Sequence, residues 1–392
     1  MVNNKMVNIE KTLDRDNLIT EEDIKNNQDK INSFYNNSKI LILGAAGSIG
    51  SAFTKEIIKY NPQSLFLVDY DENGLVDLLR FIRSEDYQKI NIELYPLGYE
   101  TELFKDIILN NSFDCIYNFT ARKHVRSESN IESSFQIIKT NILDFYDLLT
   151  NLQNSQKIFS VSTDKAANPV NIMGASKRIM EDIIHSSYNV DGSTARFGNV
   201  AFSKGSLLNS FEQRIENGQP IPIPKNVYRY FLTEKEAASI CILSSTLNIE
   251  KPTLIPKPGL LQPITIEDIA INYLKQTNRE FKFYDNDDEY NNKRNKLSRN
   301  IVPLIFDQLN TTGEKDKEVF HEKDEKVIKT NYKNFYNLEN KSLGIDYQNF
   351  IEELKTLIQR PEKTKEELIR ILKDCIETFN HLDSGFSLNE KK

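Results

Sequence analysis

Short apolar runs and longer amphipathic stretches alternate through the first half of the chain. The runs lie within KILILG, SLFLVDY, DCIYNFTA, KIFSVST and the briefer STARFGNV, which begin at Lys39, Ser64, Asp114, Lys157 and Ser193. Runs with little polar alternation read as strands buried on both faces, and the amphipathic stretches between them read as crossover helices. The pattern predicts an α/β fold with a doubly wound parallel sheet. Beyond residue 200 the rhythm becomes irregular, with Pro220, Pro222 and Pro224 close together, as in a smaller lobe that caps a sheet. The expected organisation is an N-terminal arm over 1–37, a sheet domain over 38–200, a substrate-binding lobe over 201–345 and C-terminal helices over 346–392. The arm is polar and partly helical around Ile19 to Ile31, and residues 284–300, dense in Asp, Asn, Lys and Arg, read as an exposed insertion. The tail carries two helical stripes, through Phe350, Leu354 and Ile358 and through Leu368, Leu372 and Ile376.

Composition narrows this picture. With 39% hydrophobic and 27% charged residues, the 392-residue chain can bury a large core. A net charge of −7 disfavours a nucleic-acid partner, which calls for a basic face. The three cysteines, Cys115, Cys241 and Cys375, have no paired spacing, so neither a disulfide framework nor a metal site is expected, in keeping with a reducing cytoplasm. His185, His321 and His381 lack metal-ligand spacing and read as surface residues. No apolar run approaches the roughly 20 residues that cross a bilayer, so no membrane span is expected.

Chemistry first enters at GAAGSIGS, where Gly44, Gly47 and Gly50 follow a strand and open a helix. Gly44 permits the tight turn, Gly47 lets a pyrophosphate approach the backbone, Gly50 allows close helix packing, and the helix N-terminus favours the charge. Asp69 ends the second strand at the distance where a carboxylate meets the adenosine ribose. Its charge, with Asp71 and Glu72 beside it, selects NAD over NADP. Ser48 and Ile49 in the turn, Thr120 and Ala121 after the fourth strand, and Lys177 complete the expected cofactor contacts. The fold class is therefore Rossmann-type, with a smaller C-terminal substrate-binding lobe.

The segment VSTDKAANPVNIMGASK places Thr163, Asp164 and Lys165 at a strand end and spaces Met173 and Lys177 four residues apart, on one helix face. Short-chain dehydrogenases carry Tyr where Met173 stands, and a thioether cannot exchange a proton. This segment resembles the nucleotide-sugar 4,6-dehydratases of polysaccharide biosynthesis, particularly the UDP-N-acetylglucosamine 4,6-dehydratases, whose larger membrane-anchored members also have Met there. The resemblance extends to Leu13 and Arg15, GAAGSIGS, ARKHV, RFGNV (Arg196 to Val200), KGS (Lys204 to Ser206), RYFLT (Arg229 to Thr233) and TGEK (Thr312 to Lys315).

The resemblance implies a redox-neutral reaction in which hydride leaves sugar C-4, the C-5 proton is removed, water departs from C-6 and hydride returns there. It implies Lys165 as the base at C-5, with Lys177 and the nicotinamide lowering its pKa, Asp164 as the acid at C-6, and Thr163 as a hydrogen-bond partner of the C-4 oxygen. Asp164, a water on Thr163, and His124 are the candidate acceptors of the C-4 proton. Arg196, Asn199, Lys204, Ser206 and Arg229, with Lys123 and His124, are the candidate substrate contacts, and a homo-oligomer is expected. After the third strand this chain reads LGYE where the family has Gly-Asp, and residues 280–340 diverge. Two other functions are compatible: a nucleotide-sugar 4-epimerase, which Met173 disfavours, and a non-catalytic NAD(H)-binding subunit.

Overall fold

The computed structural model describes residues 7–382 apart from positions 86, 88, 124–127, 129, 153–155, 207, 226, 295–297, 299, 308–314, 316, 317 and 340. The apolar runs form the strands β1 (Lys39–Leu43), β2 (Ser64–Val68), β4 (Cys115–Asn118), β5 (Gln156–Val161) and β6 (Val190–Ala195), with β3 (Asn91–Tyr95) at one edge. Their order across the sheet is β3-β2-β1-β4-β5-β6, all parallel. This is the doubly wound order in which the strand sequence reverses between β1 and β4, opening a crevice at their carboxyl ends. Every residue of β2 and β4 is buried, which explains the missing polar alternation.

Beyond residue 200 the chain returns to the same sheet. Strand β7 (Thr253–Pro256) adds parallel to β6, and β8 (Val327–Lys329) and β9 (Phe335–Leu338) complete the edge in the order β7-β9-β8, both ladders antiparallel. A separate parallel sheet has Ile301–Asp307 between Glu280–Tyr284 and Ile221–Pro224. The polar stretch beginning at residue 284 includes a helix, Asp287–Lys293, with no buried residue.

Helices cover both faces of the large sheet. On one face lie Ile131–Ile138, Ile172–Ser186 and the C-terminal helices Tyr347–Gln359 and Lys365–Cys375, which bury Phe350, Leu354, Leu368 and Leu372. On the other lie Ser48–Ile57, Glu72–Ser84 and Glu234–Thr246. The smaller sheet has its own core, to which the arm contributes Leu13. Arg15 pins the arm by two 2.8 Å hydrogen bonds to Glu236, in the capping box of the helix Glu234–Thr246. Among the described residues no helix is long and apolar enough to cross a membrane.

Candidate functional site

The glycine turn is built by close approach. Gly44 lies at φ +75°, and a Cβ there would stand 2.9 Å from the backbone of Phe119 and Thr120 at the end of β4. A Cβ at Gly50 would stand 2.2 Å from the Gly44 carbonyl oxygen, so the helix Ser48–Ile57 rests directly on the turn. That helix has no side-chain cap, which leaves its first amides to meet an anion. Asp69 is buried and organises the turn, Oδ2 accepting from Ala46 N and Oδ1 from Asp71 N, both at 3.0 Å. Each oxygen keeps a lone pair for a hydroxyl donor. Thr120 donates its amide to Asn118 Oδ1, which keeps Thr120 and Ala121 beside the turn. An uncapped helix start, a cradle that a methyl group would fill and a carboxylate at the second strand's end fit a dinucleotide. Gly50→Val is expected to abolish bound dinucleotide, read from the absorbance ratio of the purified protein and by calorimetric titration. Undiminished occupancy would reject the cradle.

Across the crevice, Thr163, Asp164 and Lys165 leave the end of β5. Asp164 is fully buried, and its Oδ1 accepts from Thr163 Oγ1 at 2.8 Å and Lys165 Nζ at 3.1 Å. Among the described residues Asp164 Oδ2 has no hydrogen-bond partner. Lys165 Nζ also lies 3.7 Å from Glu318 Oε1, and Lys315 Nζ lies 3.5 Å from Glu318 Oε2. The expectation of a lowered Lys165 pKa is corrected here. Burial disfavours the ammonium, but Asp164 and Glu318 outweigh it and hold Lys165 above its usual value. The cation that opposes them is Arg229 rather than Lys177.

The helix Ile172–Ser186 presses on this loop: a Cβ at Gly174 would stand 2.3 Å from the Lys165 carbonyl oxygen. Asn171 caps it through Gly174 N at 2.7 Å, and buried Glu128 takes the amides of Ile172 at 3.0 Å and Met173 at 2.9 Å. Met173 packs in the core beside Ile172 and Ile179. Lys177 is buried, donates to the Val161 carbonyl at 2.9 Å, and is pushed down to about 8 by burial.

The remaining candidates are dispersed. Asn199 Nδ2 reaches the Tyr230 carbonyl, Ser206 Oγ accepts from Asn209 N, and Arg229 Nη1 donates to the Tyr228 carbonyl. Lys204 stands on the glycine turn: its amide donates to Ser48 Oγ at 2.9 Å and its Nζ to the Ala46 carbonyl at 3.1 Å. Lys123 is exposed beyond the end of β4. His124 lies outside the described residues, as do Thr312 to Glu314. Arg196 is not a substrate donor, because it is fully buried between Glu181 and Glu325, with four hydrogen bonds of 2.7–2.8 Å. His381 is likewise no surface residue: its side chain is 4% exposed and Nε2 lies 3.5 Å from Glu128. Sequence reasoning missed Glu318, Glu128 and the Arg196 pairs. Glu318 sits in EKDKEVFHEKDE, whose charge density reads as solvated surface, and only Val319-Phe320 interrupts it.

Residues 40–340 match the family model described as "Polysaccharide biosynthesis protein". The chain is 30% identical over 285 residues to the capsular polysaccharide biosynthesis protein CapD of Staphylococcus aureus, covering 70% of this chain and 46% of that protein. It is 30% identical over 200 residues to a UDP-N-acetylglucosamine 4,6-dehydratase (inverting) of Campylobacter jejuni, covering 48% of this chain and 57% of the enzyme. The alignments thus span about half the length of these relatives. The fold is shared with the X-ray structure of Pen from Bacillus thuringiensis, at 21% identity and TM-score 0.62 over 81% of this chain and 90% of the other.

Proposed function

Because the chain belongs to the polysaccharide biosynthesis protein family, we propose that it is an NAD-dependent nucleotide-sugar 4,6-dehydratase, with UDP-N-acetylglucosamine as substrate. The observation that carries this reading is the Asp164–Lys165 pair, bonded at 3.1 Å with Thr163 at the end of β5, where a sugar lying across the crevice meets all three. The Campylobacter relative named for this reaction supports it.

A bound dinucleotide supplies an acceptor for the C-4 hydride and a donor that returns it at C-6. Gly44, Gly47, Ser48, Ile49, Gly50, Asp69, Thr120, Ala121 and Lys177 would hold it, with Lys204 bordering the same turn. Asp69 favours NAD, since a 2′-phosphate beside a buried carboxylate meets like charge. On the other side, Arg229, Ser206, Asn199 and Lys123 would take the diphosphate and nucleoside, Arg229 as the strong bidentate donor.

The Asp164–Lys165 pair can produce both groups that elimination needs. Asp164 becomes a neutral acid when it takes the C-4 hydroxyl proton through Thr163, which donates to it at 2.8 Å, and Lys165 becomes a free amine when its ammonium gives up a proton. Lys165 then removes the C-5 proton of the 4-ketone, while Asp164 protonates the departing C-6 hydroxyl. The resting charges return with the loss of water. The enzyme is expected to convert UDP-N-acetylglucosamine in heavy water to a 4-keto-6-deoxy sugar with deuterium at C-5, followed by NMR and mass spectrometry. Retention of the C-5 proton with inversion at C-4 would make it an epimerase.

A further inference from the structure

We propose that Glu318 receives the proton displaced from Lys165, which leaves Asp164 free to take the C-4 hydroxyl proton in place of the tyrosine absent at Met173. Resting on the dehydratase reading, the proposal names a residue that no motif assigns. Glu318 is 3% exposed and stands between two ammonium groups, Lys165 Nζ at 3.7 Å and Lys315 Nζ at 3.5 Å. Among the described residues its Oε2 has no hydrogen-bond partner, and neither has Asp164 Oδ2. A buried cluster with two unbonded carboxylate oxygens holds open capacity for protons, since leaving such atoms unsatisfied is costly in a fixed fold.

Counting protons shows why two carboxylates are required. Oxidation at C-4 removes a hydride to the bound dinucleotide and a proton from the hydroxyl. Thr163, already donating to Asp164 Oδ1 at 2.8 Å, is placed to pass that hydroxyl proton to Asp164. For Lys165 to act at C-5, its own proton must leave as well. Asp164 holds one proton only, so the second goes to Glu318, which is the other carboxylate beside Nζ. Lys165 takes the C-5 proton as the C-6 carbon–oxygen bond breaks, and Asp164 gives its proton to the leaving hydroxyl, forming water. Hydride returns to C-6, Lys165 returns its proton to C-5, and Glu318 recharges Lys165. The substrate has lost one water and the protein is as it began. Lys315 keeps Glu318 paired when charged, and its bond to the Ala167 carbonyl at 2.6 Å ties that segment to the catalytic loop. Glu318 acts through Lys165, so it is a positioning residue rather than a group touching the sugar. Asp164, Glu318 and Arg229 face Lys165, and Lys165 and Lys315 face Glu318.

The test uses the full chain carrying Glu318→Gln, Glu318→Ala or Glu318→Asp. With UDP-N-acetylglucosamine, Glu318→Gln is expected to lower kcat about 100-fold or more, with KM within a few-fold and bound dinucleotide unchanged. Formate should restore part of the Glu318→Ala rate, and Glu318→Asp should retain more activity than Glu318→Gln. Independently of turnover, the Lys165 Nζ resonance, assigned by its loss in Lys165→Arg, should titrate at lower pH in Glu318→Gln than in the parent. An unshifted Lys165 titration overturns the proposal, as does an unchanged kcat or a loss that neither formate nor Asp relieves. If the parent does not dehydrate the sugar, the dehydratase reading has failed, and the Lys165 titration alone decides the role of Glu318.

Discussion

Lys165→Ala is expected to keep its dinucleotide and lose turnover by about 100- to 10,000-fold, the contribution of a positioned proton-transfer group. The dinucleotide stays because the glycine cradle is built from β1, β2 and the helix Ser48–Ile57, none of which leans on Lys165. Turnover falls because the C-5 proton loses its acceptor while Asp164 and Glu318 lose the cation between them. Glu318 keeps Lys315 at 3.5 Å, but Asp164 is 0% exposed and loses its ion pair, so the alanine variant also carries a buried carboxylate without its partner. Lys165→Arg separates the two effects. A guanidinium keeps the charge but does not release a proton near neutrality, so this variant should remain folded and inactive. Measured rates in both variants within about threefold of the parent would remove Lys165 from the chemistry, well under the loss expected of a general base.

The parts legible in sequence are those where one residue's local surroundings dictate its role. The five apolar runs became strands because strands buried on both faces need no polar alternation, and glycines 44 and 50 announced a turn that no side chain can enter. Asp164 and Lys165 were visible for the same reason, adjacent in sequence at a strand end. Glu318 was not, because Lys165 lies about 150 positions away and the stretch around Glu318 is charged apart from Val319-Phe320. Arg196 was misread on similar grounds. An arginine after a strand offers phosphate-binding geometry until a helix and a later segment each bring a carboxylate to it, and charge alone does not say which partner arrives first. Return of the chain to the sheet through β7, β8 and β9 was hidden because strands this short carry little periodicity.

Arg196→Met is expected to destabilise the fold by about 3–5 kcal/mol at neutral pH, the cost of leaving a buried ion pair without one partner. Arg196 directly follows β6 and spans to Glu181 on the helix Ile172–Ser186 and to Glu325 in the segment that follows Glu318. Glu181 Oε1 also accepts from Ser162 Oγ at 2.5 Å, and Glu322 Oε1 accepts from Asn168 N at 2.9 Å, so the same network frames the loop that carries Thr163, Asp164 and Lys165. Burial alone would raise the Glu181 pKa, but Arg196 chiefly brings it below the usual carboxylate value. In the parent, Glu181 therefore adds stability that is complete above its unfolded pKa and lost as pH falls through the lower folded one. In the variant Arg178 and Ser162 still favour the Glu181 carboxylate, but without Arg196 burial weighs more and the folded pKa rises relative to the parent. The loss is therefore greatest near pH 7 and shrinks as acid neutralises Glu181. Urea unfolding at several pH values reads this directly. A stability difference that is constant with pH would show that Arg196 contributes packing only. Replacing Glu181 and Glu325 together with Arg196 by apolar residues should recover part of the loss, since neither carboxylate then remains buried without Arg196, while Arg178 keeps its bond to the Lys341 carbonyl at 3.2 Å. That variant should still lose activity, because Glu318 and Lys165 are brought together by the segments that Arg196 joins.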